Sequence, residues 1–225
     1  MLATALLAAG GSGERLGAGA PKALVELAGR PMAAWSLRAF DAAQTLDAAV
    51  IAAPAGEVEA MERLAAETAP GLRVLVVPGG DSRSESVARA LVETPEDVEI
   101  VVVHDAARPL VTPALLDRCV AQLERWGCDG VVAAARAVDT VKEADAGGHV
   151  IATLERERLW AVQTPQAFRA RSLARALGDG DLARAYDDAQ LVEATGGDVR
   201  VVEAPRQNMK ITTEQDLRVA ALLLG

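Results

Sequence analysis

Short apolar runs alternate with amphipathic stretches along this chain. The runs at 5–9, 48–53, 73–77, 99–103, 130–135 and 199–203 read as strands, and several are apolar throughout. A strand with no polar alternation is buried on both faces. Between these runs, apolar residues recur at helical spacing over 32–41, 58–68, 84–92, 113–126 and 167–177, with a last helix from about 214 to 224. Strands alternating with helices predict an α/β fold with a mostly parallel sheet and helices on both faces. The helix starts carry caps. Thr112 precedes Pro113, and Thr212-Thr213 precedes Glu214-Gln215-Asp216, placing a hydroxyl at the N-cap and acids in the first turn.

One segment departs from this rhythm. Residues 136–158 are too polar for a core strand and contain Asp145-Ala146-Gly147-Gly148 between two partly alternating arms. This predicts a β-hairpin. A two-stranded hairpin is marginal alone in water, so it needs a surface to pack on. A second copy of the chain is the simplest one. The whole chain, 1–225, reads as one domain with the hairpin as an arm within it.

Composition narrows the function. At 225 residues and 51% hydrophobic, the chain can bury a large core. No apolar run reaches the ~18 residues of a membrane span. The first apolar run has no basic leader, so a cytoplasmic protein is expected. A net charge of −9 and only 3% aromatic residues argue against a nucleic-acid partner. Cys119 and Cys128 match no metal spacing, and His104 and His149 lie far apart in sequence. Zinc and histidine-centred sites are therefore not expected.

In open parallel sheets ligands bind beyond the carboxyl ends of the strands. After the first run comes Ala8-Ala9-Gly10-Gly11-Ser12-Gly13-Glu14-Arg15, then Pro21-Lys22. Glycines bring backbone N–H groups close to an anion, and Arg15 and Lys22 add charge, so this reads as a polyphosphate cradle. Its spacing fits neither a Walker loop, nor G-x-G-x-x-G, nor G-x-S-x-G. After the third run a second glycine turn, Gly79-Gly80-Asp81-Ser82-Arg83-Ser84-Glu85-Ser86, opens a helix. Free helix N–H groups and polar side chains there can read a base or hold an anion, or serve simply as a cap. After the fourth run come His104-Asp105-Ala106-Ala107-Arg108. An acid at that position can ligate Mg2+ on a triphosphate, cap a helix or pair with Arg108. His104 reads as a packed strand-end residue and not as a base. Further along lie Asp139-Thr140, Arg156, Thr164 and Lys210.

The stretches LLAAGGSGERLGAGAPKAL, GGDSRSESV, VHDAARPLV, VDTVKE, LERERLWAVQTPQAF and QNMKITTEQDL, in this order, cover nearly the whole chain. Together they resemble the 2-C-methyl-D-erythritol 4-phosphate cytidylyltransferases of the non-mevalonate isoprenoid pathway. The resemblance implies a Rossmann-like fold and transfer of CMP from CTP to the polyol phosphate, with Mg2+ as cofactor. It implies that Arg15 and Lys22 hold the CTP phosphates and stabilise the transition state. Ala8, Ala9, Gly10, Gly11 and Gly13 would supply the phosphate loop. Gly80, Asp81 and Ser86 would surround cytosine. Asp105, Ala106 and Arg108 would sit at ribose, phosphate and metal, with Asp105 as the metal ligand. Thr140, Arg156, Thr164 and Lys210 would bind the polyol phosphate, with Arg156 and Lys210 positioning it for attack. The hairpin would reach across a homodimer and carry Thr140 and Arg156 to the neighbour's site.

The chain also departs from its relatives. Glu14 stands where many carry a second base, and Gln207 where some carry an acid. With the sequence ending at Gly225, the fused cyclase of bifunctional relatives is not expected. Alternatives are a cytidylyltransferase for another polyol phosphate such as ribitol 5-phosphate, a guanylyltransferase, and a non-catalytic nucleotide-binding regulator.

Overall fold

The computed structural model describes residues 3–11, 20–182 and 185–225. Seven strands form one sheet: β1 (Ala3–Ala8), β4 (Leu46–Ala53), β5 (Arg73–Pro78), β6 (Ile100–Asp105), β7 (Gly130–Arg136), β10 (Trp160–Arg169) and β11 (Val199–Glu203). Their order across the sheet is β11-β7-β10-β6-β1-β4-β5. All neighbours run parallel except β10, which lies antiparallel between β6 and β7. Every residue of β6 is buried, as expected for an apolar run covered on both sides.

Helices α1 (Met32–Asp41), α2 (Val58–Thr68) and α4 (Pro113–Trp126) cover one face, where Leu37, Phe40, Met61, Leu116 and Leu123 pack against the sheet. Helices α3 (Arg83–Val92), α5 (Ala170–Asp179) and α6 (Asp188–Ala194) cover the other, with Val87, Leu173, Leu177 and Leu191 in its core. Helix α7 (Glu214–Leu224) packs with Met32 and Ile211 near the small ribbon β2 (Glu26–Leu27) and β3 (Arg30–Pro31).

The expected caps form. The Thr112 hydroxyl accepts from the Leu115 N–H with Pro113 at the helix start, and α4 ends at Gly127 in the left-handed region, φ 63°. Thr213 and Asp216 close a reciprocal capping box on α7.

Three expectations need correction. The stretch at 167–177 is not all helix, because its first three residues finish β10 and the helix begins at Ala170. Strand β10 itself escaped the apolar pattern, since Gln163, Thr164 and Gln166 are polar and buried. Hydrogen bonds tie them in place: the Asn208 Nδ2 donates to Gln163 Oε1 and to the Thr164 carbonyl, both at 2.8 Å, and Gln166 Nε2 donates to Asp187 at 2.9 Å. Pro165 falls in a register break of the β10–β7 ladder, where a missing N–H costs nothing. Helix α6 was not expected at all.

The hairpin is present, with arms β8 (Lys142–Ala144) and β9 (Val150–Thr153). Asp145 shapes its turn by accepting from the N–H groups of Gly147 and His149, both at 2.9 Å.

Candidate active site

Strand β1 has β4 on one side and β6 on the other, so the chain leaves the sheet centre in opposite directions at the β1–β6 boundary. A crevice opens at such a switch point. Here it is a cavity of about 460 Å3 at the carboxyl ends of β1 and β6, a size suited to a small-molecule ligand.

Most of the expected residues meet in it. Ala8, Ala9, Gly10, Gly11, Lys22, Gly80, Asp81, Ser86, Asp105, Ala106 and Lys210 all line the cavity. The first loop is closed from behind by the Lys22 N–H, which donates to the Gly11 carbonyl at 3.1 Å. Gly13 and Arg15 lie outside the described residues.

The second glycine turn folds tightly onto α3. A Cβ on Gly80 would stand 2.4 Å from that of Glu85, so only glycine fits. Ser82 and Glu85 form the reciprocal capping box of α3. Ser86 is 2% exposed, accepts from the Gly80 N–H at 3.0 Å and donates to the Ser82 carbonyl at 2.9 Å. Its main task is therefore to hold the turn.

Asp105 is the electrostatic hub. Its Oδ1 accepts from Arg83 Nε at 2.7 Å and its Oδ2 from Lys210 Nζ at 2.8 Å. Burial alone would raise the Asp105 carboxyl, but the two cations overcome it and hold the group well below the usual carboxylate range. Arg83 also donates from Nη1 to the buried Asp188 at 2.8 Å. In the sequence Arg83 stands within the second glycine motif with no role of its own, and nothing there points to Asp188.

Lys210 is placed by its neighbours. Asn208, fully buried, ties the segment to β10, and the Ile211 N–H donates to the Ala107 carbonyl at 2.8 Å. The lysine between these anchors projects to Asp105.

Thr164 does not enter the cavity. It is 4% exposed, accepts from the Asp105 N–H at 3.0 Å and bonds His104 Nδ1 at 2.9 Å. It supports Asp105 from beneath. His104 Nε2 lies 3.1 Å from the Arg108 carbonyl. That carbonyl can only accept, so Nε2 carries the hydrogen and Nδ1 accepts from Thr164. The ring is enclosed and both its nitrogens are committed, so it cannot reach a substrate proton, as the sequence suggested.

Burial is the main reason the His104 pKa falls from 6.5 to about 4. The unfolded chain therefore takes up a proton below about pH 6.5 that the fold resists until about pH 4. His104 supports the fold fully above pH 6.5, and that support is lost as pH falls through this window. We expect stability to drop by about 2 kcal/mol between pH 7 and pH 5 from this group. Urea unfolding at both pH values should show a shallower drop in His104→Gln, and equal drops in the two proteins would refute the assignment.

Arg108 is tied to two backbone carbonyls. Its guanidinium donates to the Asn208 carbonyl at 2.9 Å and the Val162 carbonyl at 3.4 Å. It faces a second cavity, of about 430 Å3, and does not line the first. This second cavity is also lined by Arg136, Asp139, Gln163, Arg206 and Lys210. Lys210 thus belongs to both cavities. Although the whole chain is acidic, four cationic side chains converge on the second cavity and Lys22, Arg83 and Lys210 on the first. Two adjacent cavities of this kind suit two phosphorylated molecules.

Thr140 and Arg156 line neither cavity of their own chain. Both are exposed near the base of the hairpin, and Arg156 Nη1 donates to the Val138 carbonyl at 2.9 Å. Among the described residues no helix is long and apolar enough to cross a membrane, and no three acidic, histidine or cysteine side chains gather as a metal cage.

Comparison with known proteins gives concordant matches. The family model for 2-C-methyl-D-erythritol 4-phosphate cytidylyltransferase matches residues 3–225. A protein of that name from a Synechococcus species is 41% identical over 221 residues, covering 97% of this chain and 94% of the relative. The crystal structure of the Thermus thermophilus protein of the same name is 33% identical, with a TM-score of 0.77 over 99% of this chain and 98% of that one. A 4-diphosphocytidyl-2C-methyl-D-erythritol synthase from Anaerococcus prevotii superposes with a TM-score of 0.86 at 25% identity, covering 99% and 98% of the two chains.

Proposed function

Because the chain belongs to the 2-C-methyl-D-erythritol 4-phosphate cytidylyltransferase family, we propose that its two cavities divide the two substrates of that reaction between them. CTP occupies the first and the polyol phosphate the second, and Lys210 stands where they meet. The carrying observation is that Lys210 lines both cavities while bonded to Asp105 at the switch point.

A phosphate oxygen of the acceptor attacks the α-phosphorus of CTP. The new P–O bond forms as the bond from that phosphorus to the bridging oxygen breaks, and pyrophosphate leaves with the electron pair. A phosphate monoester has its second pKa near ~6, so it is largely dianionic at neutral pH. No proton has to be removed from it, which agrees with a site whose histidine is buried and neutral. The barrier is the repulsion between two polyanions. Lys22, Arg83 and Lys210 offset it with fixed positive charge, and the two cavities align the reacting atoms. Backbone N–H groups of the Gly10–Gly11 loop, together with Arg15, complete the triphosphate cradle. Gly80 and Asp81 face the base.

The residues fit a divalent ion carried by the nucleotide. Mg2+ in such sites takes one or two protein carboxylates, with phosphates and water as its other ligands. Asp105 can supply one, provided Lys210 yields its Oδ2. When bound, the ion neutralises phosphate charge.

The hairpin presents Val150 and Ile151, each about 60% exposed, and the chain leading into it presents half-exposed Val138. An exposed apolar strip of this kind suits burial against a second subunit. We place Thr140 and Arg156 in the partner's second cavity. Mixing Lys22→Ala with Arg156→Ala subunits should then restore activity, because each mixed dimer contains one intact site. With random assortment, recovery should approach about a quarter of the wild-type rate. Mixed dimers without activity would remove the shared site.

The direct assay is pyrophosphate release with CTP, Mg2+ and a panel of polyol phosphates. Turnover should be fastest with 2-C-methyl-D-erythritol 4-phosphate. Faster turnover of ribitol 5-phosphate, or of GTP in place of CTP, would reassign the substrates.

A further inference from the structure

Arg83 sits between two acids. Its Nε is bonded to Asp105 at 2.7 Å and its Nη1 to Asp188 at 2.8 Å. Asp188 is fully buried, lines neither cavity, and has no partner on Oδ1. It opens the first turn of α6. That turn is fixed by Asp187, which caps the helix through the Gln190 N–H and accepts from Gln166 of β10.

A fully buried acid is a poor source of stability, because its desolvation offsets most of the attraction to its partner. Its geometry suggests another purpose. A guanidinium prefers to grip a carboxylate with two parallel N–H groups. Free to turn, Arg83 would close on both oxygens of Asp105. Asp188 holds Nη1 on the far side and so fixes the rotation of the guanidinium; in that orientation Nε meets Oδ1, and Oδ2 remains with Lys210.

We propose that Asp188 is a positioning residue for nucleotide binding, acting through Arg83 to keep one oxygen of Asp105 clear of the guanidinium, so that Lys210 can hold it and yield it to the ion that accompanies the nucleotide. This rests on CTP occupying the first cavity, which wild-type binding tests separately.

The experiment is calorimetric titration of the full-length protein with CTP and Mg2+, with melting temperature followed in parallel. Asp188→Asn keeps the shape and removes the charge. It should weaken CTP binding about 10-fold, within the range of coupling seen for side chains in one network. In an Arg83→Gln background the same change should have no further effect on CTP, since the fork it steers is gone. Wild-type affinity in Asp188→Asn, or an equal loss in both backgrounds, would overturn the proposal and leave Asp188 as part of the core alone.

Arg83→Lys keeps the charge but cannot span both acids. It should weaken CTP as Asp188→Asn does, and it carries the test if Asp188→Asn does not fold. Unchanged CTP affinity in Arg83→Lys would equally overturn the proposal. A wild-type protein that bound no CTP would refute the functional reading, and this inference with it.

Discussion

Lys210→Ala is expected to lower kcat by about 10²–10³-fold, the loss typical when one preorganised group is removed from a developing charge. The lysine lines both cavities, so its removal weakens the two substrates together and takes away a cation at their junction. The fold should tolerate the change. The side chain is 42% exposed, and Asp105 keeps its bond to Arg83. Solvent screens the lysine end of the pair, and Arg83 still neutralises the buried carboxylate. Steady-state kinetics with each substrate varied in turn should therefore show a fallen kcat and both KM values raised, with a melting temperature close to wild type. A kcat near wild type would show that no charge at this position acts on the transition state.

Lys22→Ala should follow a different pattern. Lys22 lies in a short helical turn, Lys22–Leu24, whose backbone closes the first glycine loop, and it lines only the first cavity. The expected loss is on the order of 3 kcal/mol in transition-state stabilisation, or ~10²-fold in kcat/KM for CTP. The KM of the polyol phosphate should stay where it was. Lys22→Arg should recover part of the loss, since the charge is kept although its position shifts. Unchanged kcat/KM for CTP in Lys22→Ala would remove the lysine from the triphosphate site. A rise in the acceptor KM alone would assign it to the wrong substrate.

The contrast between these variants follows from where strands end, and that much could be read in the chain. Ala8 to Gly11 and Asp105 follow apolar runs that could only be interior strands, so their exit points had to share one edge of the sheet. Gly80 and Asp81 follow another such run. Lys210 follows the run 199–203 at a distance, and only the motif around Asn208 hinted at its place.

Residues whose role depends on a buried bond were less visible. Thr164 and Ser86 carry hydroxyls that look available for a ligand in one dimension. In the fold each is committed to the backbone it supports. Strand β10 was hidden because its polar side chains imitate a loop, and their partners, such as His104, Asp187 and Asn208, lie far away in the sequence. Helix α6 is seven residues long, two turns, too short for a periodic signal. With it went Asp188, and so the second acid on Arg83. Its one local mark was the pair Asp187-Asp188 before Leu191 and Val192, a plausible helix start that nothing else in the chain singled out.

Lys210 standing between two phosphorylated molecules is the claim on which the mechanism turns. A crystal structure of the protein with CTP and Mg2+ tests this most directly. The triphosphate should lie against Gly10, Gly11 and Lys22, with the base at Gly80 and Asp81 and the α-phosphorus turned toward Lys210 and the cavity lined by Arg108 and Arg206. A nucleotide bound elsewhere, or one whose α-phosphorus faces away from Lys210, would contradict it.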